Sequence, residues 1–473
     1  MTFLGWCLSL LGYALTWSLL PIVLLRKKRN PAASIAWMLT IVLLPIGGAV
    51  LFLLFGVNRV ERRKRTRQIS TQQLASQRPF VAPSERPPQP DDPPATARLL
   101  RLAHRVADGW PTRGNAVELL NDTHHTLALI EQAITAANES IHLEYYIWQP
   151  DRTGTQLRDL LIGKAKQGVR VRFLYDGFGS SRLKQRFLQP MRDAGILVAT
   201  FLPGQTLRER WSINLRNHRK IVVVDDRVAF TGGMNIGDEY LGRDREIGFW
   251  RDTHLRLEGP EVQRHQAIFA EDWYYATGEV LSDTAATASA GNVTAQTVSD
   301  GPITDTSVFQ ALMLAAINEA ERDLHLATSY FAPPHTIVIA LQNAAFRGVR
   351  VRLLVSGRKN HPMPLLAGRA VYDDLLRAGC EIWEYERGLL HSKTLTIDGH
   401  WSLVGSPNLD CRSLFLNFES GVILYDAAIA LQLQQQFARD AQDARLIDVD
   451  SWSRRGWVQH VAESFCRLFT PLL

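Results

Sequence analysis

The sequence predicts an α/β protein: two pseudo-twofold-related α/β halves with mixed sheets, preceded by an N-terminal transmembrane helical hairpin. Three observations predict it. A stretch near the C-terminus recurs earlier in the chain. Helix-period and strand-period segments alternate around both copies. Two long uncharged runs open the sequence. A length of 473 residues suits two or three domains rather than one.

The hairpin comes first, over residues 1–67. "FLGWCLSLLGYALTWSLLPIVLL", Phe3 to Leu25, carries no charge, and a second uncharged run goes from Pro31 to Val57. About 20 apolar residues span a bilayer, so both are long enough. The first run lacks a basic leader and ends in "RKKR" rather than a small-residue cleavage site, so it reads as a retained anchor. Arg26, Lys27, Lys28 and Arg29 lie in the turn; Arg59, Arg62, Arg63, Lys64, Arg65 and Arg67 follow the second run. The larger cluster places the body that follows in the cytoplasm, as part of a multi-pass membrane protein. Pro45, Gly47 and Gly48 interrupt the second run, which either kinks or re-enters without crossing.

Charge follows this division. Residues 1–67 hold ten Lys/Arg and one acid, Glu61, leaving 43 basic against 46 acidic residues in the rest. The body is therefore slightly acidic. Phosphate-backbone binding normally needs a basic surface, so no nucleic-acid partner is expected. Cys7, Cys380, Cys411 and Cys466 are scattered without a C-x-x-C, which argues for reduced thiols and against a disulfide framework or a zinc site.

Residues 68–97 are rich in proline and read as a linker; 281–300, rich in Ala, Ser and Thr, read as a second. They bound a first half at 98–280 and a second at 301–473. The halves repeat each other. "ALIEQAITAANESIHL" (128–143) aligns without gaps on "ALMLAAINEAERDLHL" (311–326), and "GVRVRFL" (168–174) on "GVRVRLL" (348–354). Each half reads helix, strand, helix, strand, short helix, strand, then a further strand carrying a motif.

That motif is H-x-K-x-x-x-x-D. "HRKIVVVDD" supplies His218, Lys220 and Asp225; "HSKTLTIDG" supplies His391, Lys393 and Asp398. Six residues after each aspartate comes G-[GS]-x-N, ending at Asn235 and Asn408. A lone His and Lys beside a strand are ordinarily solvated surface residues, but duplication of five fixed positions removes that explanation. Residues two apart on a strand share a face, so each histidine sits beside its lysine. A shared axis would bring both pairs to one cleft.

Such a cleft suits a phosphodiester and needs no metal or other cofactor. Lysine and asparagine donors neutralise the non-bridging oxygens, one neutral histidine attacks phosphorus, and the other protonates the leaving alcohol. Each histidine needs an orienting partner on its second nitrogen. "FWRD" supplies Asp252 after the first motif and "LNFE" supplies Glu419 after the second. The candidate catalytic set is His218, Lys220, Asp225, His391, Lys393 and Asp398. The two aspartates are expected to fix the loop that follows each motif.

The duplicated motif resembles the phospholipase D superfamily. "NHRKIVVVDDRVAFTGGMNIGDEY", "FWRDTHL", "EYYIWQPDRTG", "LLHSKTLTIDGHWSLVGSPNLDCRSLFLNFE", the "TPLL" terminus and the basic hairpin resemble bacterial cardiolipin synthases over nearly the whole chain. The resemblance implies two phospholipase D-like halves and reversible phosphatidyl transfer between two phosphatidylglycerol molecules. It implies anionic membrane lipid as partner and a phosphohistidine intermediate. It also implies His218 as nucleophile, His391 as acid and then base, Lys220, Lys393, Asn235 and Asn408 on phosphate, and Asp252 and Glu419 orienting His218 and His391 respectively. The symmetry of the halves leaves the opposite histidine assignment open. A hydrolase, or a transferase using another alcohol, would have the same constellation. Arg208, Arg210 and Arg216, before the first motif, are candidates for anionic head groups or form an ordinary basic loop. Finally, Trp457, Val461, Phe465, Leu468 and Phe469 share one helical face, which either docks on the protein core or lies on the membrane surface.

Overall fold

The computed structural model describes residues 3–25, 31–53, 86–89, 92–107, 109–201, 215–281, 287–302, 306–357 and 362–473. Both basic clusters of the hairpin, most of the Pro-rich segment, and Arg208 and Arg210 lie outside the described residues. The chain divides into two compact units, residues 1–63 and 64–473.

The first unit holds helices α1 (Phe3–Leu25), α2 (Pro31–Leu43) and α3 (Pro45–Leu51). The break between α2 and α3 has a local cause. A residue before proline is pushed out of the helical region, and Leu44 sits at φ −127°, ψ 73° with Pro45 opening the next helix. Gly48 then packs on the Thr40 carbonyl, where a Cβ would not fit. Leu19, Val23, Ile41, Ala49 and Phe52 form a small core, while Trp6, Leu10, Leu11, Trp17 and Leu43 are exposed. Among the described residues no helix is long and apolar enough to cross a membrane. The spanning hairpin expected from the sequence is therefore not established by the fold.

In the second unit the first half contributes β1 (Thr112–Leu120), β2 (Ser140–Tyr145), β3 (Arg170–Asp176), β4 (Leu197–Phe201), β5 (Arg216–Asn217), β6 (Lys220–Val224), β7 (Val228–Gly232), β8 (Phe249–Arg251) and β9 (His254–Glu258). The second contributes β10 (Val293–Asp300), β11 (Asp323–Thr328), β12 (Phe331–Ala332), β13 (Arg350–Ser356), β14 (Glu381–Tyr385), β15 (Gly388–Leu390), β16 (Thr394–Ile397), β17 (Trp401–Gly405), β18 (Leu409–Asp410), β19 (Asn417–Tyr425) and β20 (Ala444–Leu446). The halves do not keep separate sheets. One sheet runs β20-β14-β13-β11-β16-β17-β19-β10-β1-β9-β7-β6-β2-β3-β4. Apart from β20 it reads the same outward from the β1–β10 seam, which is where a pseudo-twofold axis must pass. Pairing is parallel in β2-β3-β4 and β11-β13-β14 and antiparallel toward the seam, so the sheet is mixed, as expected.

This seam corrects the sequence reading at 281–300. Residues 293–300 are not a linker but strand β10, paired with β1 on one side and β19 on the other. Its small residues are largely buried. A central strand covered on both faces needs no long apolar run when its neighbours fill the space.

Helices α4 (Pro94–Ala107), α5 (Thr123–Ala136), α6 (Arg152–Lys166), α7 (Gln185–Asp193) and α8 (Glu261–Thr277) come with the first half. The second brings α9 (Val308–Glu319), α10 (His335–Phe346), α11 (Pro362–Arg369), α12 (Tyr372–Arg377), α13 (Cys411–Phe415), α14 (Ala427–Gln442), α15 (Val449–Ser453) and α16 (Trp457–Arg467). Their starts are written locally. Asp122, Asp151, Ser307 and Asp426 each accept a hydrogen bond from an amide three residues on, filling a donor the first helical turn leaves open. The expected order within each half is observed. One boundary moves: α4 opens the stretch read as the first half, yet its Leu99 and Ala103 belong to the core of the second, and Arg98 pairs with Glu319 at 2.7 Å.

Candidate active site

Two very short strand pairings build the site. β5 pairs with the start of β19, and the His218 amide donates to Phe418 O at 2.8 Å. β8 pairs with β15, and the His391 amide donates to Arg251 O at 2.7 Å. Each histidine backbone is thus held by the strand that carries the other half's carboxylate.

The consequence overturns one expectation. His218 Nδ1 bonds Glu419 Oε2 at 2.9 Å, and His391 Nδ1 bonds Asp252 Oδ2 at 2.6 Å. The sequence order had paired Asp252 with His218 and Glu419 with His391. The pairs cross because β5–β19 and β8–β15 run between halves. Both carboxylates are buried and further hydrogen-bonded. Glu419 accepts from Ser406 Oγ and, at 3.0 Å, from Asn417 Nδ2. Asp252 accepts from Thr253 N at 2.8 Å and from Trp250 Nε1 at 3.4 Å. Although burial opposes it, His218 and Lys220 hold Glu419 down to about 2, and His391 and Lys393 hold Asp252 below its ordinary value.

The variable position of G-[GS]-x-N now has a reason. Gly233 lies against the Asp252 carboxylate, leaving no room for a Cβ. Its counterpart Ser406 uses the equivalent place to donate to Glu419.

The motifs share one cleft. Lys220 Nζ donates to His218 O at 2.5 Å, and Lys393 Nζ likewise to His391 O. Burial pushes Lys220 down to about 7, with Glu419 opposing and Lys393 adding to the shift. Burial pushes Lys393 down to about 8 against Asp252 and Glu419. Both histidines fall to about 4, chiefly through burial, despite their carboxylates. With both histidines neutral, two lysines and two carboxylates balance in the empty cleft, and an entering phosphodiester anion favours the protonated forms of the lysines and histidines.

Asn235 and Asn408 are buried beside the motifs. Asn235 accepts from Ile147 N at 3.1 Å and donates to Tyr240 Oη at 3.3 Å. Asn408 Oδ1 is buried with no hydrogen-bond partner among the described residues. Arg216 lies in β5 with its guanidinium 3.4 Å above the Phe178 ring.

Asp225 and Asp398 do not join the cleft. Both sit in the left-handed region at φ 51°, at the far end of the motif strand from the lysine. Asp225 accepts from the amides of Asn138, Glu139 and Ser140, each at 2.8 Å. Asp398 does the same for Glu321, Arg322 and Asp323 at 2.8–2.9 Å. They clamp the turn that enters the neighbouring strand, β2 or β11, rather than the loop that follows the motif. Their expected place among the catalytic residues is therefore corrected to a structural one.

Two site residues were not singled out from the sequence. The Tyr146 ring lies 4.8 Å from His218, and Trp250 lies 5.1 Å from His391. Both occur in the quoted segments "EYYIWQPDRTG" and "FWRDTHL", Tyr146 directly after a strand and Trp250 two residues before the Asp252 carboxylate, which was the available signal. Among the described residues no group of three or more His, Cys, Asp or Glu could hold a metal ion.

Comparison with known proteins agrees with this geometry. Residues 130–273 and 313–441 match the family described as "Cardiolipin synthase, PLD-like domain", and residues 14–56 match "Phospholipase_D-nuclease N-terminal". The "Cardiolipin synthase" of Geobacillus kaustophilus (strain HTA426) is 38% identical over 460 residues, covering 96% of this chain and 91% of its own. That of Halalkalibacterium halodurans is 35% identical over 477 residues, covering 99% and 95%. In three dimensions the phosphatidylserine synthase of Haemophilus influenzae Rd KW20 shares the fold at a TM-score of 0.60 and 14% identity, over 79% of this chain and 100% of that one. With two intact motifs meeting in one cleft and relatives matched along nearly its full length, the chain belongs to the cardiolipin synthase family of phospholipase D-like proteins.

Proposed function

We propose that this chain is a cardiolipin synthase that transfers a phosphatidyl group between two phosphatidylglycerol molecules through a phosphohistidine. The observation that carries the proposal is the pair of crossed His–carboxylate dyads flanking two buried lysines.

His218, neutral and donating from Nδ1 to Glu419, attacks phosphorus through Nε2. The P–O bond to glycerol breaks, and His391 gives the departing oxygen its proton. Substrate supplies the condition for that proton to be present. In the empty cleft burial keeps His391 neutral, and the incoming phosphodiester anion raises its affinity for a proton. Lys220 and Lys393 neutralise the non-bridging oxygens, with Asn408 beside them. In the second half-reaction His391 takes the proton of a second phosphatidylglycerol's hydroxyl. The new alkoxide displaces His218 from phosphorus, giving cardiolipin. The steps are chemically symmetric, so the transfer is reversible.

Residues 1–67 are assigned as the membrane anchor. Support comes from the 23-residue helix α1, which contains no charge, and from the family match at 14–56.

The test is lipid mass spectrometry of purified protein in phosphatidylglycerol micelles, beside His218→Ala and His391→Ala. Cardiolipin plus glycerol from the unaltered chain alone is expected. Phosphatidic acid in place of cardiolipin would make water the acceptor and sink the transferase assignment. A covalent adduct trapped on His391 rather than His218 would reverse the two histidines.

A further inference from the structure

The C-terminal helix is folded with its apolar side outward. On α16, Trp457 is 76% exposed, Val461 56%, Phe465 58% and Leu468 73%; Leu472, just beyond, is 63%. At 100° per residue these side chains share one face. The residue buried beneath the helix is the charged one, Glu463, at 0%. Arg455 bonds it at 2.9 Å and also bonds Asp373 in α12. Gln459 adds a bond to Glu463 at 2.8 Å. An ion-paired polar seam therefore fastens α16 to the body and fixes the direction of its apolar face. This excludes the core-docking alternative for these residues.

We infer that this face is a docking surface for an anionic lipid membrane and sets the active-site mouth against the lipid surface. Three features select that occupant. On α16 and the residues after it the exposed charged side chain is cationic, Arg467, since Glu463 is buried and paired; Arg454 precedes the helix, with Asp448 and Asp450 exposed at the start of α15. Basic residues flanking a Trp/Phe/Leu face are the composition of a helix lying in a membrane interface. The adjoining helix α11, against which α16 packs, presents Met363 at 40% exposure.

The face is also tied to the cleft. The Arg412 amide donates to Leu473 O at 2.6 Å, which ties the chain's last residue to α13. In the same helix Ser413 Oγ accepts from the Asn408 amide at 3.2 Å. The apolar terminus thus abuts the segment that carries the second motif's asparagine. A diacyl substrate could then reach the histidines without leaving the bilayer.

The inference rests in part on the phospholipid reading above, so its test must not require turnover. In the full chain, with Cys7 and Cys466 replaced by serine, Val461→Cys carries a spin label, and Leu431→Cys on α14 serves as a control. Both are placed in phosphatidylglycerol vesicles. The label at 461 should collide freely with oxygen and poorly with a water-soluble nickel chelate, while the control stays open to the chelate. Free access of the chelate at 461 would overturn the inference. So would exclusion of both probes, which would mean that protein, a second copy or the chain's own hairpin, covers the face. As a second readout, Val461→Asp with Phe465→Asp should slow turnover of vesicular phosphatidylglycerol about tenfold or more. Turnover of a short-chain, monomerically dispersed analogue should stay within about twofold. Equal losses on both substrates would also overturn it.

Discussion

Replacing Glu419 by glutamine isolates the crossed dyad. In the phosphohistidine the His218 ring is positive, and Glu419 faces its Nδ1 at 2.9 Å. Two unit charges with centres roughly 4 Å apart attract by about 4 kcal/mol at an effective dielectric of about 20. With about half of that charge formed at the transition state, the amide forfeits about 2 kcal/mol. Glutamine also brings an NH2 group to a carboxylate position already surrounded by donors, from Ser406 and Asn417. An unsatisfied buried donor costs about 1–3 kcal/mol. That second cost is present before and during the chemical step and is read in stability, so the charge term alone, about 2 kcal/mol, predicts a fall of roughly 30-fold in kcat. The assay is glycerol release from phosphatidylglycerol, with a melting curve to show that the variant folds. A fall of less than about tenfold in the folded variant would refute the assignment of Glu419 to His218.

Three further outcomes follow from the same geometry. Asp225→Asn keeps a side chain tolerant of the left-handed backbone but weakens the acceptor for three amides; stability should fall by about 1–3 kcal/mol while kcat of the folded protein stays within about twofold. A large loss of kcat without loss of stability would return Asp225 to the chemistry. Lys220 and Lys393 titrate near 7 and 8 in the empty cleft, and the anionic substrate binds their protonated forms. Raising the pH through that window discharges the free protein, so kcat/KM should decline above it, and binding near pH 7.5 should take up protons in calorimetry. A kcat/KM level to about pH 9 would contradict this, because both lysines would then be uncharged in the free protein. Asp252→Asn should impair His391 as the acid, so a phosphatidyl substrate with a nitrophenolate leaving group should recover about tenfold or more relative to phosphatidylglycerol. Glu419→Gln should show no such recovery; the converse pattern would restore the pairing read from sequence order.

Much of the architecture could be read from periodicity. The further strand expected to carry the second motif is β16, Thr394–Ile397, and the helix–strand order recurs in both halves because each segment is long enough to show its period. What escaped lies in contacts too short to have one. β5 has two residues, β8 and β15 three each, yet they decide which carboxylate meets which histidine. β10 was hidden for another reason. Its Ala, Thr and Ser look like linker composition, but Thr297 N finds Glu261 and Gln296 Nε2 finds Gly109 O at 2.6 and 2.7 Å, so the polar atoms are satisfied inside. For α16 the amphipathic pattern was plain and its direction was not. Direction depends on Arg455 bridging Glu463 and Asp373, a contact across 82 residues of chain for the Arg455–Asp373 pair.

The crossing bears on which histidine becomes covalent. Neither half contains a complete dyad, since each lends its carboxylate to the other's histidine, so chemistry must span the seam. The two dyads also differ. A nucleophile stays cationic for the lifetime of the intermediate and needs a carboxylate that holds its charge firmly. An acid–base residue must give up and regain its proton in each cycle, and too strong an anion would hold that proton back. Glu419 has a short hydroxyl donor from Ser406 and an amide donor from Asn417. Asp252 has one good amide bond and a long indole contact at 3.4 Å. Charge-assisted hydrogen bonds weaken with length, so Glu419 is the better-buttressed anion. That difference, set by a serine where the first motif has a glycine, favours His218 for the covalent bond and His391 for the proton.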